Sequence, residues 1–189
     1  GLGDDTIDAG FGTDTLVEAG DYDFTLSNTQ LLTIDGPDTY QDTISGIERA
    51  ELTGGDSENT IDASDFSGVN GSVYLKDLIA GGTPDFVFGP EFSILLSDGV
   101  TEVQVDVLDS ATLSDVFEVI DAAHDNLSAS FDPSTNQIVI VDSTAGANNL
   151  VLTPQNNSTI ASQLGLPGTA NSTELRSDEL SLSLASVIL

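Results

Sequence analysis

The chain contains no cysteine, no methionine and no tryptophan, a single histidine, and only 3 lysines and arginines among 189 residues. Without cysteine there is no disulfide framework and no thiol chemistry. One histidine, His124, and no cysteine leave nothing from which an ordinary zinc site is built. The three basic residues, Arg49, Lys76 and Arg176, are too few to neutralise a phosphate backbone, so nucleic acid is excluded as a partner. The same shortage argues against anionic membrane surfaces. No apolar run approaches the ~18 residues of a membrane-spanning helix, and no membrane insertion is expected. No signal-peptide pattern is present, and the chain opens on Gly1, which reads as a window from a longer protein.

What is abundant is acid. Against the 3 basic residues stand 32 acidic ones, 23 of them Asp and 9 Glu, for a formal net charge of −29. Hydrophobic residues still make up 39% of the chain, so it is expected to fold and not to behave as an acidic tail. Aspartate favours turns and is a short, stiff oxygen ligand, so its excess suits cation sites borne on turns, as well as a solvated surface. At low divalent-cation concentration such a chain repels itself; cation binding would couple to folding.

The first 75 residues are rich in Gly, Asp and Thr. Two nine-residue units stand back to back: Gly1-Leu2-Gly3-Asp4-Asp5-Thr6-Ile7-Asp8, then Ala9-Gly10-Phe11-Gly12-Thr13-Asp14-Thr15-Leu16-Val17. The tripeptide Asp/Asn-Thr-apolar returns at Asp42-Thr43-Ile44 and Asn59-Thr60-Ile61. The successive spacings are 9, 28 and 17 residues, close to multiples of nine. Gly54-Gly55-Asp56-Ser57-Glu58-Asn59-Thr60-Ile61-Asp62 is a decayed copy of the same unit. Tyr22 to Leu26 and Leu31 to Ile34 read as ordinary strands.

These units resemble the RTX (repeats-in-toxin) nonapeptide G-G-x-G-x-D-x-U-x in degenerate form, with U a large apolar residue. The resemblance implies a parallel β-roll, or β-solenoid, with two strands and about eighteen residues per coil, that binds Ca²⁺ in its turns. Carried onto this chain, Gly1, Gly3, Gly10 and Gly12 are turn residues, Asp5 and Asp14 are side-chain ligands, and Ile7 and Leu16 are core. Asp23, eighteen residues after Asp5, is the same-edge partner the roll implies for it, whereas the position eighteen after Asp14 is a leucine, Leu32.

Composition changes after Gly81-Gly82-Thr83-Pro84. Phe92, Ile94 and Leu96 alternate with polar residues, Asp98-Gly99 signals a hairpin turn, and Val103, Val105 and Val107 alternate in their turn. Leu113, Val116, Phe117, Ile120 and Ala123 fall at helical spacing, with Thr112 as the N-cap and Asp115 at its third position. His124 sits at the helix end, where a dipole-facing role is expected before a catalytic one. Leu127 to Phe131, Gln137 to Val141 and Asn149 to Thr153 read as strands. A short helix from Thr159 to Leu164 follows, capped by Ser158 and stopped at Gly165. This order is similar to the hook-IN motif of flagellar hook-associated and large bacterial surface proteins, which implies a small α+β building block without catalytic residues. Ser72-Val73-Tyr74-Leu75-Lys76-Asp77-Leu78-Ile79 also matches Ser181-Leu182-Ser183-Leu184-Ala185-Ser186-Val187-Ile188 loosely, at an offset of 109, as a tandem array would leave.

The expectation is therefore a mainly β chain: an N-terminal parallel β-solenoid over 1–75, an α+β module of antiparallel strands and one main helix over 76–175, and a further repeat or edge strand over 176–189. No nucleophile, base and orienter stand together, so no enzyme activity is expected. The expected function is a non-catalytic, calcium-binding structural segment of a large secreted or cell-surface, adhesin-like repeat protein. Its partners would be neighbouring repeats, with strand-mediated self-assembly at Leu180-Ser181-Leu182-Ser183-Leu184. The alternatives are a carbohydrate- or partner-binding module, which lacks an aromatic platform here, and an accessory region of a secreted RTX enzyme.

Overall fold

A computed structural model describes the chain apart from Phe11, Ala80, Gly81, Asp109, Asn171, residues 183–186 and Leu189; at Val187 and Ile188 only the backbone is described. Phe11 of the second nonapeptide, Gly81 of the Gly81-Gly82 pair and 183–186 of the terminal match therefore lie outside the described residues. The described residues are mainly β, with several small sheets and three helices. It divides into two units, Gly1–Val73 with Ser181–Leu189, and Tyr74–Leu180.

The first unit begins with β1 (Thr6–Asp8), β2 (Thr15–Ala19), β3 (Asp23–Ser27), β4 (Gln30–Asp35), β5 (Asp38–Ser45), β6 (Arg49–Thr53) and β7 (Ile61–Asp65). Three parallel pairings organise it. Thr6 lies opposite Thr43, Thr15 opposite Arg49, and Phe24 opposite Ile61, separations of 37, 34 and 37 residues. The tripeptide Asp5-Thr6-Ile7 thus runs beside Asp42-Thr43-Ile44, with Ile7 facing Ile44. Between β3 and β5 the chain doubles back through β4, antiparallel to both, giving the sheet order β1-β5-β4-β3-β7. That excursion lengthens the repeat, so strands expected to recur after eighteen residues recur after about twice that.

Alternation fixes which side chains turn inward. Leu16, Phe24, Leu26, Leu31, Ile44, Ile47, Ala50, Leu52 and Phe66 form one buried cluster, and Ile7 packs against it half-buried. Tyr22 meets Phe24 edge to face, ring centroids 6.2 Å apart. Asn28, at the end of β3, accepts the backbone N–H groups of Ser67 and Gly68 beyond the end of β7.

The second unit holds α1 (Leu75–Leu78), β8 (Phe92–Leu95), β9 (Glu102–Val105), α2 (Leu113–Ala123), β10 (Leu127–Asp132), β11 (Gln137–Asp142), β12 (Val151–Pro154), α3 (Ile160–Gln163) and β13 (Glu174–Arg176). β8 and β9 form the hairpin that turns at Asp98-Gly99, where Asp98 accepts the Val100 and Thr101 N–H groups. β12 adds antiparallel to β8, and a second sheet, β10-β11-β13, is antiparallel throughout. α2 carries both halves of its capping box: Thr112 Oγ1 accepts the Asp115 N–H, and Asp115 accepts the Thr112 N–H. Its buried face is Leu113, Val116 and Ile120, with Phe117 only half-buried.

The chain then returns to the first unit. β14 (Val187–Ile188) pairs in parallel with β6, Val187 opposite Ala50, so that β2, β6 and β14 stand in one sheet. Residues 183–186 of the second copy in the loose sequence match between 72–79 and 181–188 lie outside the described residues; at one aligned pair that is described, Leu78 ends α1 and Val187 begins β14.

Candidate functional site

The predicted ligands sit at the corners where paired strands begin. At the first corner Asp5 donates its backbone N–H to Asp42 Oδ1 at 2.9 Å, and the Asp5 carbonyl accepts from Thr43 N–H. Its neighbour Asp4 accepts the Gln41 N–H through Oδ1 at 2.9 Å. At the second corner Asp14 donates its N–H to Glu48 Oε2 at 2.8 Å, and its carbonyl accepts from Glu48 and Arg49. At the third, Asp23 Oδ1 accepts the Thr60 N–H at 2.6 Å, and the Thr60 carbonyl accepts from Phe24. One motif recurs: a carboxylate takes a backbone donor of the neighbouring strand just as pairing starts. Such charge-assisted bonds satisfy amides that the sheet has not yet reached.

The glycines behave as turn residues. Gly3, Gly10 and Gly12 take φ of 146°, 78° and 138°. In both Gly-x-Asp units the Asp Oδ2 lies over the glycine, 3.5 Å from a Cβ built on Gly3 and 3.4 Å from one built on Gly12. The Gly1 nitrogen lies 2.8 Å from Glu18 Oε1.

The structure does not bring Asp5 and Asp23 together. Asp5 immediately precedes β1 and Asp23 opens β3, strands separated in the sheet by β5 and β4, roughly 14 Å at ordinary strand spacing. The acid beside Asp5 is Asp42, and the acid beside Asp14 is Glu48. Both newcomers are buried, each about 3% exposed. Asp42 carries a readable signal, since its tripeptide copies that of Asp5. Glu48 carries none in sequence, because Ile47-Glu48-Arg49 repeats no motif.

A cation is best matched at the second corner. Asp14 Oδ2 is buried and has no hydrogen-bond partner, and the backbone N–H of the same residue is bonded to the Glu48 carboxylate. Glu48 Oε1 meanwhile accepts from Asn70 Nδ2 and Ser72 Oγ. A groove of about 370 Å³ is lined among the described residues by Asp8, Ser45, Asn70 and Ser72 with Gly10, Gly46 and Gly71. Two carboxylates fall short of the six to eight oxygens Ca²⁺ takes, so turn carbonyls would have to complete the set. Among the described residues no three acidic or histidine side chains converge on one point.

Elsewhere the acids serve turns. Asp21 accepts from Ser57 and Asn59, and the Ser57 hydroxyl foremost holds its carboxyl below the usual carboxylate range. His124 is the C-cap of α2, its Nδ1 accepting the Asn126 N–H at 3.2 Å. No family model matches the chain, and no curated protein or solved structure matches it either.

Proposed function

We propose that the chain is a non-catalytic structural segment of a large secreted or cell-surface, adhesin-like repeat protein, in which the first unit is a coiled stack of parallel rungs stiffened by Ca²⁺. The observation that carries this reading is the set of three parallel pairings at separations of 37, 34 and 37 residues, each opened by a carboxylate bound to a neighbouring backbone amide. A near-constant separation at successive corners is what a stack of coils requires. The placement of β14 on β6 supports neighbouring repeats as the natural partners of such a stack. The second unit, with its hairpin, capped helix and antiparallel sheets, supports a hook-IN-like building block. A cysteine-free, strongly acidic composition suits a secreted, calcium-rich setting.

Asp14 and Glu48 would hold the ion, with carbonyls of the Gly10 to Asp14 turn. Bound there, Ca²⁺ would neutralise two carboxylates at a point where the bare chain leaves one oxygen unpartnered. Thermal unfolding followed by circular dichroism, with and without millimolar Ca²⁺, tests the reading. A site of Kd ~10⁻⁴ M gains about 2.7 kcal/mol at hundredfold excess of ion. Asp14→Asn should be as stable as the parent in chelator and should lose the calcium response. An unchanged melting temperature in the parent would remove ion-dependent stiffening.

A further inference from the structure

Asn70-Gly71 is the one Asn-Gly step in the chain. Glycine carries no Cβ to shield its nitrogen, so at such a step the backbone amide most readily attacks the side-chain carbonyl before it. Asn70, Gly71 and Ser72 are half-buried and all line the groove of about 370 Å³ in the first unit, so water reaches them.

The local fold prepares that attack. Asn70 Oδ1 accepts the Ser72 N–H at 2.9 Å, which closes an Asx turn and curls the side chain back over the Asn70–Gly71 peptide. In this turn Cγ takes the place that the first carbonyl carbon holds in a β-turn, folded toward the Gly71 nitrogen. Ser72 Oγ lies 2.5 Å from the same Oδ1, the shorter of its two contacts, the other being Glu48 Oε1 at 3.3 Å. Two donors on Oδ1 draw electrons from Cγ and meet the negative charge that forms on this oxygen during attack.

We propose that Asn70 is a site of spontaneous modification: it deamidates through a cyclic imide, and the product loosens the first unit. The Gly71 nitrogen bonds to Cγ, the Cγ–Nδ2 bond breaks, and ammonia leaves with the proton that the Gly71 nitrogen gives up. Water then opens the ring at either carbonyl, leaving aspartate or isoaspartate. The net change is one water in and one ammonia out, with no oxidant or cofactor. The consequence lies across from the amide. Asn70 Nδ2 donates to Glu48 Oε1 at 2.9 Å and to the Ile47 carbonyl at 3.4 Å. After conversion a carboxylate faces the Glu48 carboxylate, which is only 3% exposed. A donor that satisfied the buried acid has become a second acceptor, and the two like charges repel.

The test is to age the full chain in mildly alkaline buffer and to follow it by peptide mapping with mass spectrometry. Chelator is present throughout, so the result is independent of Ca²⁺. Conversion at Asn70 should outrun that at every other asparagine, with isoaspartate among the products. Ser72→Ala should slow it about fivefold in the folded chain, the effect of one hydrogen bond, and leave it unchanged in urea. Asn70→Asp should lower the urea midpoint of the first unit. In a Glu48→Gln background the same change should shift the midpoint little, because glutamine offers the new carboxylate a donor. Conversion at Asn70 no faster than elsewhere, or undiminished by Ser72→Ala, would overturn the site. An Asn70→Asp chain as stable as the parent would overturn the loosening.

Discussion

Glu48 holds Asp14, the residue that leads into β2: a carboxylate buried to 3% exposure accepts the Asp14 backbone N–H at 2.8 Å, 34 residues back along the chain. The same carboxylate gathers Asn70 and Ser72 with its other oxygen, so a single acid ties three separate segments of the first unit. Its burial is tolerable because each oxygen is met by a donor.

Glu48→Ala should therefore destabilise the first unit by about 2–4 kcal/mol, since it strands a backbone amide and two side-chain donors. Glu48→Gln keeps the shape and one acceptor and should cost roughly half as much. Urea denaturation followed by circular dichroism gives both values, and equal costs for the two variants would contradict the account.

Gly46 lies against the backbone of the Gly10 corner. Its φ is +68°, and a Cβ there would stand 2.8 Å from the Gly10 carbonyl oxygen. Gly36 has a similar φ of +59° but open space around it. Gly46→Ala should cost about 3 kcal/mol and Gly36→Ala about 1 kcal/mol, the difference being the backbone clash and not the dihedral. Melting temperatures of the two variants, measured side by side, check the ranking.

Glu91 is fully buried in the second unit, with Val107 N–H at 2.7 Å from Oε2 and Val87 N–H at 3.4 Å from Oε1. Burial foremost, with the nearby Asp106 charge, pushes its carboxyl above the usual 4.5. The folded protein thus holds this proton more tightly than the unfolded chain. The stability it contributes is fully present below about pH 4.5 and is lost as pH rises through the folded value. Glu91→Gln stays neutral throughout, so its stability relative to the parent should grow as pH rises from the acid side toward 7. Denaturant midpoints across that range measure it, and a flat difference would refute it.

The opposite sign holds at the start of α2. The Thr112 N–H foremost, with the Ala111 N–H, keeps the Asp115 carboxyl below its usual range. Its contribution is present above the unfolded value and is lost as pH falls through the folded one. Thr112→Ala should cost about 1 kcal/mol at neutral pH. Asp115→Asn should cost a similar amount at pH 7 and almost nothing in strong acid. Chemical denaturation at the two pH values separates these cases.

The sequence was most informative where structure is local. The Asp98-Gly99 hairpin and the Thr112 and Asp115 box depend on residues within four positions of one another, and both are read directly from the chain. Parallel pairing depends on partners some 37 residues away. The clue lay in the identical tripeptides at Asp5 and Asp42, but counting in nines concealed the detour through β4. β13, three residues long, is too short for alternation to reveal. Glu48 matters only through burial, which no spacing encodes.

The return of the chain at β14 has a consequence for assembly. Val187 settles beside Ala50, 137 residues away, whereas the earlier parallel partners are 34 to 37 apart. Closing so large a loop in an unstructured chain is slow and entropically costly. A compact Tyr74–Leu180 replaces that slack polymer with an ordered body, whose two ends need span far less conformational space. The expected order of maturation is that the inserted body forms first and the final rung docks after it, so injury to its core should delay a strand that contains none of the altered residues.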